Sequence, residues 1–448
     1  MRHSIHRFSD RSGYPLQWQS MKLCVLALLF VAHTSCQANG KKTQQEPADS
    51  TLNSQLSTLN AQPSTLFSHL STLNSQLSTL NSQLSTLNSQ PSTLNLIIAG
   101  DLMQHGPQIK AAFERGQNQA RLNTTDYKTG NGTYNYDECF ASVKDEIERA
   151  DVAIANFEVT LGGKPYTGYP QFRAPDEYLQ ACIDAGFDIL LTANNHCVDS
   201  HRKGLERTIA MMDSLGVPHL GTYINSNVRE DTYPFLLEKN GIRVVLLNFT
   251  YGTNGLPVEE PNVVNLIDTV QIRADLEKAK TMQPDVIIAL PHWGIEYQQL
   301  PSPQQRELAH WLISNGVDHV IGGHPHVAQP LELSPDSLHL VAWSMGNVIS
   351  NQSKPNTYGG YMVKMELTKK LPAQQGGHAD TKLTDCSYML YWVSRPSDSN
   401  NRHNYRILPI DVPDSVLTGM EQKNRHAIRA SMRRLMERHG QGVKEYLW

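Results

Sequence analysis

The sequence has no excess of basic residues, no pair of cysteines at metal-binding spacing and no apolar run long enough to cross a membrane. The formal net charge is −4, with 39 Lys and Arg against 43 Asp and Glu. Neither a nucleic-acid-binding surface nor an acidic tail is therefore expected. The 448 residues suffice for one large domain or two ordinary ones with a sizeable core.

Beyond the N-terminal region the cysteines are scattered singly, at Cys139, Cys182, Cys197 and Cys386. Because none belongs to a Cys-x-x-Cys pair, the spacing does not favour a structural zinc site built from thiolates. An exported protein could form one disulfide from them, but buried free thiols are the simpler expectation.

An apolar run near the N-terminus, Leu23 to Ala32, follows Met21-Lys22. It is shorter than the roughly 20 residues of a transmembrane helix and suits the core of a secretory signal. The next residues, Thr34-Ser35-Cys36, resemble a bacterial lipobox that departs from the usual pattern at His33 and Thr34. We predict a signal segment over residues 1–36, with Met21 as an alternative start and Cys36 as the lipidated residue. A plain secretory signal or a buried helix is the alternative.

Residues 37–95 are of low complexity, and the unit Ser-Thr-Leu-Asn-Ser-Gln-Leu repeats from Ser50 to Asn95. Leucine recurs at alternating spacings of four and three, which is formally a coiled-coil pattern. However, Ser, Thr and Asn are poor helix formers, and Pro63 and Pro91 interrupt the register. We predict a flexible stalk that links the anchor to a globular body.

From Leu96 onward, short apolar strands alternate with amphipathic helices. This pattern predicts an α/β fold whose sheets are buried on both faces. In such folds, ligands bind at the carboxyl ends of the strands. The strands are expected at 96–99, 152–155, 187–191, 244–249, 285–290, 317–321, 340–344 and 361–366, and the helices at 143–150, 177–185, 204–215, 272–280 and 304–315.

A C-terminal extension is predicted from residue 371 to residue 448. It contains two candidate strands, 388–393 and 405–410, and ends in a basic helix over Glu421–His439. We expect that helix to be solvated, with contact to anionic lipid or an acidic polymer as the alternative.

Polar side chains stand where the strands end, and these ends could meet at one edge. After Gly322-Gly323 the backbone can turn sharply, so that two imidazoles project together. Oxygen and imidazole ligands suit Mn, Fe or Zn. Two such ions, about 3.5–4 Å apart, can share a carboxylate and activate a water. The candidate residues are Asp101, Glu158, Asn195, His196, His292, His324 and His326.

Each of these residues also has an ordinary explanation when taken singly. Asp101 could cap a helix, and His292 could be a core histidine. Their joint placement at successive strand ends favours a shared metal site. Either Glu158 or Asp101 could bridge two ions, and His196 is placed to protonate a leaving oxygen.

Six motifs, in this order, resemble the CapA family of bacterial capsule-synthesis proteins associated with poly-gamma-glutamate. The resemblance covers about Leu96 to Glu366. The motifs are Gly100–Met103, Ala155–Glu158, Ala193–His196, Pro291–Glu296, Gly323–His326 and Ser344–Asn347, and Phe172–Pro175 also fits.

The CapA family is in turn similar to calcineurin-like metallophosphoesterases. The resemblance implies a four-layer α/β/β/α sandwich over residues 96–370 with a dinuclear metal site. It assigns Glu158 as the bridging carboxylate and His196 as the catalytic histidine. The remaining metal ligands would be Asp101, Asn195, His292, His324 and His326.

The sequence departs from the phosphoesterase pattern at two positions. Met103 stands where that pattern has a histidine, and Glu158 stands where it usually has aspartate. Losing one imidazole would weaken one of the two metal positions or leave a single metal, so metal binding is expected more firmly than phosphoester cleavage.

The expected function is an envelope-anchored, metal-dependent hydrolase in capsule biosynthesis or export. An acidic polymer substrate would suit Arg173, near the site. The alternative is a non-catalytic, metal-stabilised accessory subunit for a membrane polymer synthase. The expected partners are synthase subunits and, through the lipid anchor, the membrane.

Overall fold

The computed structural model describes residues 71–79, 91–116, 126–129, 132–370 and 380–448. The chain divides into two compact units, Met1–Gln90 and Pro91–Trp448. The signal segment, Cys36 and most of the repeat lie outside the described residues. In the described part of the chain, every helix is too short or too polar to cross a bilayer.

Residues 71–79 of the repeat form an α-helix with exposed side chains. Leu73 and Leu77 are 54% and 59% exposed, so neither packs into a core. This helix differs from the flexible chain that we predicted, because Leu and Gln favour helix and no proline interrupts this stretch. The role of the repeat as a stalk stays a prediction.

Most strands of the second unit are short, and the first, fourteenth and fifteenth are the longest. In chain order they are β1 (Ser92–Leu102), β2 (Val152–Phe157), β3 (Ile189–Leu191), β4 (His219–Leu220), β5 (Thr222–Tyr223), β6 (Phe235–Lys239), β7 (Ile242–Thr250), β8 (Val263–Val264), β9 (Val286–His292), β10 (His319–Ile321), β11 (Leu331–Leu333), β12 (Leu340–Ala342), β13 (Asn347–Ile349), β14 (Gly359–Lys370), β15 (Asp380–Ser394), β16 (Arg406–Pro409) and β17 (Lys444–Glu445).

The helices mostly connect parallel strands. They are α1 (Gly106–Gly116), α2 (Asp126–Thr129), α3 (Asp137–Phe140), α4 (Lys144–Glu148), α5 (Asp176–Asp184), α6 (His201–Ser214), α7 (Ser226–Thr232), α8 (Thr269–Thr281), α9 (Pro303–Ser314) and α10 (Gly419–His439), with a short 3-10 helix at Asp414–Val416.

The first sheet is nine-stranded and runs β16-β15-β14-β1-β2-β3-β4, with β13 beside β1 and β17 beside β15. Strands β1 to β4 are parallel. Strands β14, β15 and β16 pair antiparallel with one another, β14 pairs antiparallel with β1, and β17 is parallel to β15. The second sheet runs β11-β12-β10-β9-β7-β6, and its inner strands β7, β9, β10 and β12 are parallel. Both sheets therefore have a carboxyl edge at which side chains can converge.

The two sheets lie face to face, with helices on their outer sides. Ile97 and Ala99 of β1 pack in a core with α1 and α3 to α5. Leu96 and Ile98 point the other way and are equally buried. The second sheet lies on that side, where the Asn240 amide donates to the carbonyl of Thr93 at 2.9 Å. Helix α9 contacts the second sheet at β10. The four-layer α/β/β/α arrangement predicted from the sequence is thus present.

The segment after residue 370 is built into the first sheet. Strand β15 pairs with β14 over most of its length, and β16 and β17 both add to β15. The predicted boundary at residue 370 therefore does not mark a separate domain, because the compact unit runs from Pro91 to Trp448.

Helix α10 is docked rather than solvated, contrary to our expectation. It begins with a capping box between Thr418 and Glu421. Its apolar side is buried, and Arg433 pairs with Glu445 at 2.6 Å. Arg425 is 5% exposed and contacts Asp414. The repeated arginines suggested a solvated helix, but the apolar residues between them, such as Ile428 and Met432, form one buried side.

Candidate metal centre

The carboxyl edges of the two sheets meet where the sequence motifs lie. Asp101 is the next-to-last residue of β1, and Glu158 follows the last residue of β2 directly. His292 is the last residue of β9. It pairs through a single β-bridge with Gly323, which lies just after β10. Because parallel strands end at one edge, residues distant in sequence come within a few ångströms of one another.

Two groups of side chains at this edge can each hold a cation. One contains Glu158, His324 and His326, and the other contains Asp101, Glu158 and His292; within each group, one ligand atom per residue lies within 4.8 Å of the others. Glu158 belongs to both groups. This is the placement that a bridging carboxylate requires.

The buried polar atoms of the centre lack the hydrogen bonds that buried groups normally make. Glu158 Oε1 and His324 Nδ1 have no hydrogen-bond partner. Glu158 Oε1 lies 3.7 Å from His292 Nε2 and 3.8 Å from His326 Nε2, beyond hydrogen-bonding distance. Ligands at about 2.0–2.2 Å from a shared ion stand roughly 3–3.5 Å apart. The distances from Glu158 Oε1 to the two imidazole nitrogens therefore fit ligands around a metal ion better than direct hydrogen bonds.

The electrostatics of the centre also require positive charge. Asp101 and Glu158 are both fully buried. Burial, followed by the nearby Asp101 carboxylate, raises the pKa of Glu158 well above its usual range. Among the described residues, no Lys or Arg forms an ion pair with either carboxylate, which instead face histidines. Divalent ions would supply the missing charge.

Two imidazoles of the centre, those of His292 and His324, are shifted toward the neutral form that binds metals. Burial, and then the neighbouring imidazoles, lower the pKa of His292 and His324 well below the usual histidine value. His326 Nδ1 lies 3.1 Å from Asn347 Oδ1 and 3.2 Å from Asp101 Oδ2. Donation from Nδ1 to these oxygens leaves His326 Nε2 with a lone pair toward Glu158.

The turn that carries the two imidazoles is strained. His324 has φ +98° and His326 has φ +59°, values in the left-handed region that side chains other than glycine rarely adopt. Such conformations persist where surrounding contacts enforce them, and they cluster at functional sites. Gly323 is tightly packed here, since a Cβ atom would lie 2.9 Å from Asp101 Oδ1.

Asn195 and His196 lie beside the carboxylates. Asn195 Oδ1 is 2.7 Å from His292 Nε2, so its oxygen faces the ligand cluster. His196 Nδ1 is 2.7 Å from Asp199 Oδ2, and Asp199 Oδ2 also accepts from the Phe172 backbone N–H at 2.6 Å. The Phe172 ring meets the imidazole edge to face at 4.5 Å. His196 is therefore held in one orientation, with Nδ1 engaged.

Arg173 lies on the His196 side of the centre rather than against the metal ligands. Its Nε donates to Ser200 Oγ at 3.1 Å, next to Asp199 in the chain. Met103 is 1% exposed and belongs to the helix-side core, so it adds no ligand. The four cysteines within the described residues are free thiols; Cys139, Cys182 and Cys197 are buried as expected, whereas Cys386 is partly exposed.

Three residues of the centre were missed by sequence reasoning. Asn156 donates from Nδ2 to Asp101 Oδ1 at 2.8 Å and lies 3.3 Å from Glu158 Oε2. It thus orients both carboxylates. Asp199 and Asn347 orient His196 and His326. Asn156 and Asn347 stand inside motifs that we quoted, but an amide that acts only as an orienting group has no pattern of its own.

The comparison with protein families agrees with this geometry. A family model described as "Bacterial capsule synthesis protein PGA_cap" matches residues 95–352. The chain belongs to this family. The resemblance predicted from the motifs is thereby confirmed, and the PGA_cap match contains every residue of the metal centre.

Two curated relatives illustrate the family. "Capsule biosynthesis protein CapA" of Bacillus anthracis is 28% identical over 247 residues, which cover 52% of this chain and 59% of that protein. "Probable polyglutamine synthesis accessory protein" of Mycobacterium tuberculosis is 22% identical over 318 residues, 66% of this chain and 75% of that protein. The chain thus spans about three fifths of the length of the Bacillus anthracis relative.

One solved structure aligns with most of this chain at low similarity. The calcineurin-like phosphoesterase YfkN from Bacillus subtilis aligns with 78% of this chain and 99% of its own, at 14% identity and a TM-score of 0.37. The α/β/β/α sandwich of this chain is established by its own strand order and layers, not by this alignment.

Metal binding can be tested at the shared ligands. Because His324 offers an unpartnered Nδ1, His324→Ala should weaken binding of Mn²⁺ or Zn²⁺ by about tenfold or more. His310→Ala removes an exposed imidazole and should bind metal like the wild type. Metal content of the purified proteins and titration of the apo forms would measure this. Equal affinity in all three proteins would contradict the assignment.

Metal binding should also depend on pH. The raised pKa of Glu158 favours its protonated form in the apo protein, whereas the lowered pKa values of His292 and His324 favour neutral imidazoles. Metal binding must displace that proton, so affinity rises with pH above the usual glutamate value of 4.5 until the pKa of Glu158 is passed. Calorimetry in buffers of different ionisation enthalpy would detect the released proton. Glu158→Gln should abolish it.

Proposed function

We propose that this chain is a metal-dependent hydrolase of the CapA type that acts in the biosynthesis or export of a poly-gamma-glutamate capsule. Membership of a capsule-synthesis family supports the process. The observation that carries the hydrolase assignment is the buried His196–Asp199 pair, 2.7 Å apart, beside two cation-binding groups that share Glu158. A site that served only to bind metal would not need that pair.

The residues present suit a divalent metal centre, and we propose two ions of the Mn, Fe or Zn type. When bound, the metal supplies Lewis-acid polarisation and lowers the pKa of a bound water. Asp101, Glu158 and His292 would hold one position, and His324 and His326 with Glu158 would hold the other. Asn195 would add a neutral oxygen.

His196 is proposed as the general acid. Its Nδ1–H donates to Asp199, which sets the tautomer and supports a positive charge on the ring. Nε2 is then the atom that carries and delivers a proton to the leaving group. This arrangement contributes about 10²–10⁴-fold in known general acids.

An acidic polymer is the proposed substrate. Arg173 is partly exposed on the His196 side of the centre and its Nε is oriented by Ser200. A guanidinium at that position can bind a carboxylate in two parallel hydrogen bonds. The acidic polymer would then meet a positive group next to the proposed acid.

The second candidate function is a non-catalytic accessory subunit of a membrane polymer synthase. It is favoured by the Mycobacterium tuberculosis relative, whose name describes an accessory protein. In that function the metal would stabilise the fold and His196 would be dispensable.

The two functions differ in what they predict for His196. His196→Ala should lower hydrolysis by about a hundredfold or more while metal content and folding stay unchanged. The assay would offer the metal-loaded protein phosphomonoesters, phosphodiesters and poly-gamma-glutamate, with His310→Ala as the matched control. Hydrolysis by His196→Ala at the wild-type rate, or none by the wild type, would favour the accessory function.

We further propose that the protein is exported and anchored in the cell-envelope membrane through a lipid on Cys36. The support is the apolar run that precedes Thr34-Ser35-Cys36. A lipid anchor is compatible with a catalytic body that contains no long apolar helix among its described residues.

Anchoring can be tested by fractionating cells. Cys36→Ser should move the protein from the membrane fraction to the soluble fraction, whereas Cys24→Ser, inside the apolar run, should not. Mass spectrometry of the wild-type N-terminus would reveal the acyl mass. A Cys36→Ser protein that stays membrane-bound would exclude this anchor.

A further inference from the structure

A loop after β7 covers the metal centre from the second sheet, although no functional motif was expected there. The Tyr251 backbone N–H donates to the carbonyl of His292 at 3.0 Å. The Tyr251 ring lies 4.5 Å from the His324 ring and is stacked 6.5 Å from the His292 ring. Tyr251 thus rests against two proposed metal ligands.

The same loop reaches the proposed acid through Asn254. Asn254 Oδ1 accepts from Asn195 Nδ2 at 3.1 Å. Asn254 Nδ2 is 3.4 Å from Nδ1 and 3.5 Å from Nε2 of His196. Asn254 therefore contacts both Asn195, a proposed metal ligand, and the imidazole of His196.

The Tyr251 hydroxyl lies next to Asn254. It is 3.4 Å from Asn254 Oδ1, which is long for an O–H···O hydrogen bond. Tyr251 is 46% exposed, whereas His292 and His324 beneath it are each 2% exposed. The Tyr251 ring therefore lies over the buried His292 and His324 rings, where a molecule that approaches the metal ligands can contact it. Its hydroxyl makes a long hydrogen bond to Asn254 Oδ1, which a closer oxygen of a bound molecule can replace.

We propose that Tyr251 contacts the substrate and donates a hydrogen bond from its hydroxyl to an oxyanion held at the metal centre. This inference rests on the proposed function, which it deepens by naming a further substrate-binding residue and the chemistry it recognises. The oxyanion is either a phosphoryl group or the tetrahedral oxygen formed when an amide is cleaved. Both offer a negatively charged oxygen to a neutral donor.

The test compares two tyrosine-to-phenylalanine variants in the metal-loaded protein. Tyr251→Phe keeps the ring against His324 and removes only the hydroxyl. It should weaken binding of inorganic phosphate, measured by calorimetry, or lower kcat/KM for poly-gamma-glutamate cleavage, by about tenfold. Metal content should not change. Tyr127→Phe, in α2, is the control and should match the wild type in all three measurements.

The outcomes separate the two oxyanion sources. An effect on phosphate binding alone assigns a phosphoryl substrate, and an effect on polymer cleavage alone assigns amide cleavage. Unchanged phosphate affinity and unchanged cleavage in Tyr251→Phe would overturn the inference, as would a wild-type protein that binds metal but neither probe. If Tyr251→Phe weakens phosphate binding but the wild type hydrolyses none of the substrates, the hydrolase proposal is wrong and the Tyr251 contact is still supported.

Discussion

Two buried carboxylates without a basic partner are the constraint on which this site depends. Asp101 and Glu158 have no exposed surface, and among the described residues only histidines come within ion-pair distance of them. Burial lowers the pKa of His292, and of His324 in the same cluster, which favours the neutral form. A buried pair of carboxylates with no counter-charge is costly. A cation at the position that Glu158 Oε1 leaves unpartnered offsets that cost and gives the site its chemistry.

The fold brings this arrangement about by joining two parallel edges. The two sheets end at the same place, where β1 and β2 of one meet β9 and β10 of the other. The terminal residues of these strands therefore converge although they are far apart in the sequence. The left-handed backbone of His324 and His326 then turns both rings inward. Around this cluster, orienting groups reduce the freedom of each ligand: Asn156 contacts both carboxylates, and Asn347 contacts His326. Preorganised ligands of this kind bind metal more tightly than flexible ones.

Much of this could be predicted from the sequence. The alternation of apolar strands and helices gave the layers, because a strand buried on both faces has a continuous apolar pattern. Asp101, Glu158 and His324 were predictable because they stand together at successive strand ends, a joint placement that favours a shared site although each residue has an ordinary explanation singly. Tyr251 and Asp199 were not, since a tyrosine in a loop and an aspartate near a helix start are common everywhere. The docking of α10 was missed because its five arginines suggested a solvated helix, although the buried positions Ile428 and Met432 follow helical spacing.

The central claim is that Glu158 is shared by two cation positions at the joined sheet edges. The most direct measurement is an anomalous difference map from crystals grown with Mn²⁺. The account predicts a strong peak within bonding distance of Glu158 and His292, and a second peak near Glu158, His324 and His326. A map without a peak at Glu158, or with manganese bound only elsewhere, would contradict it.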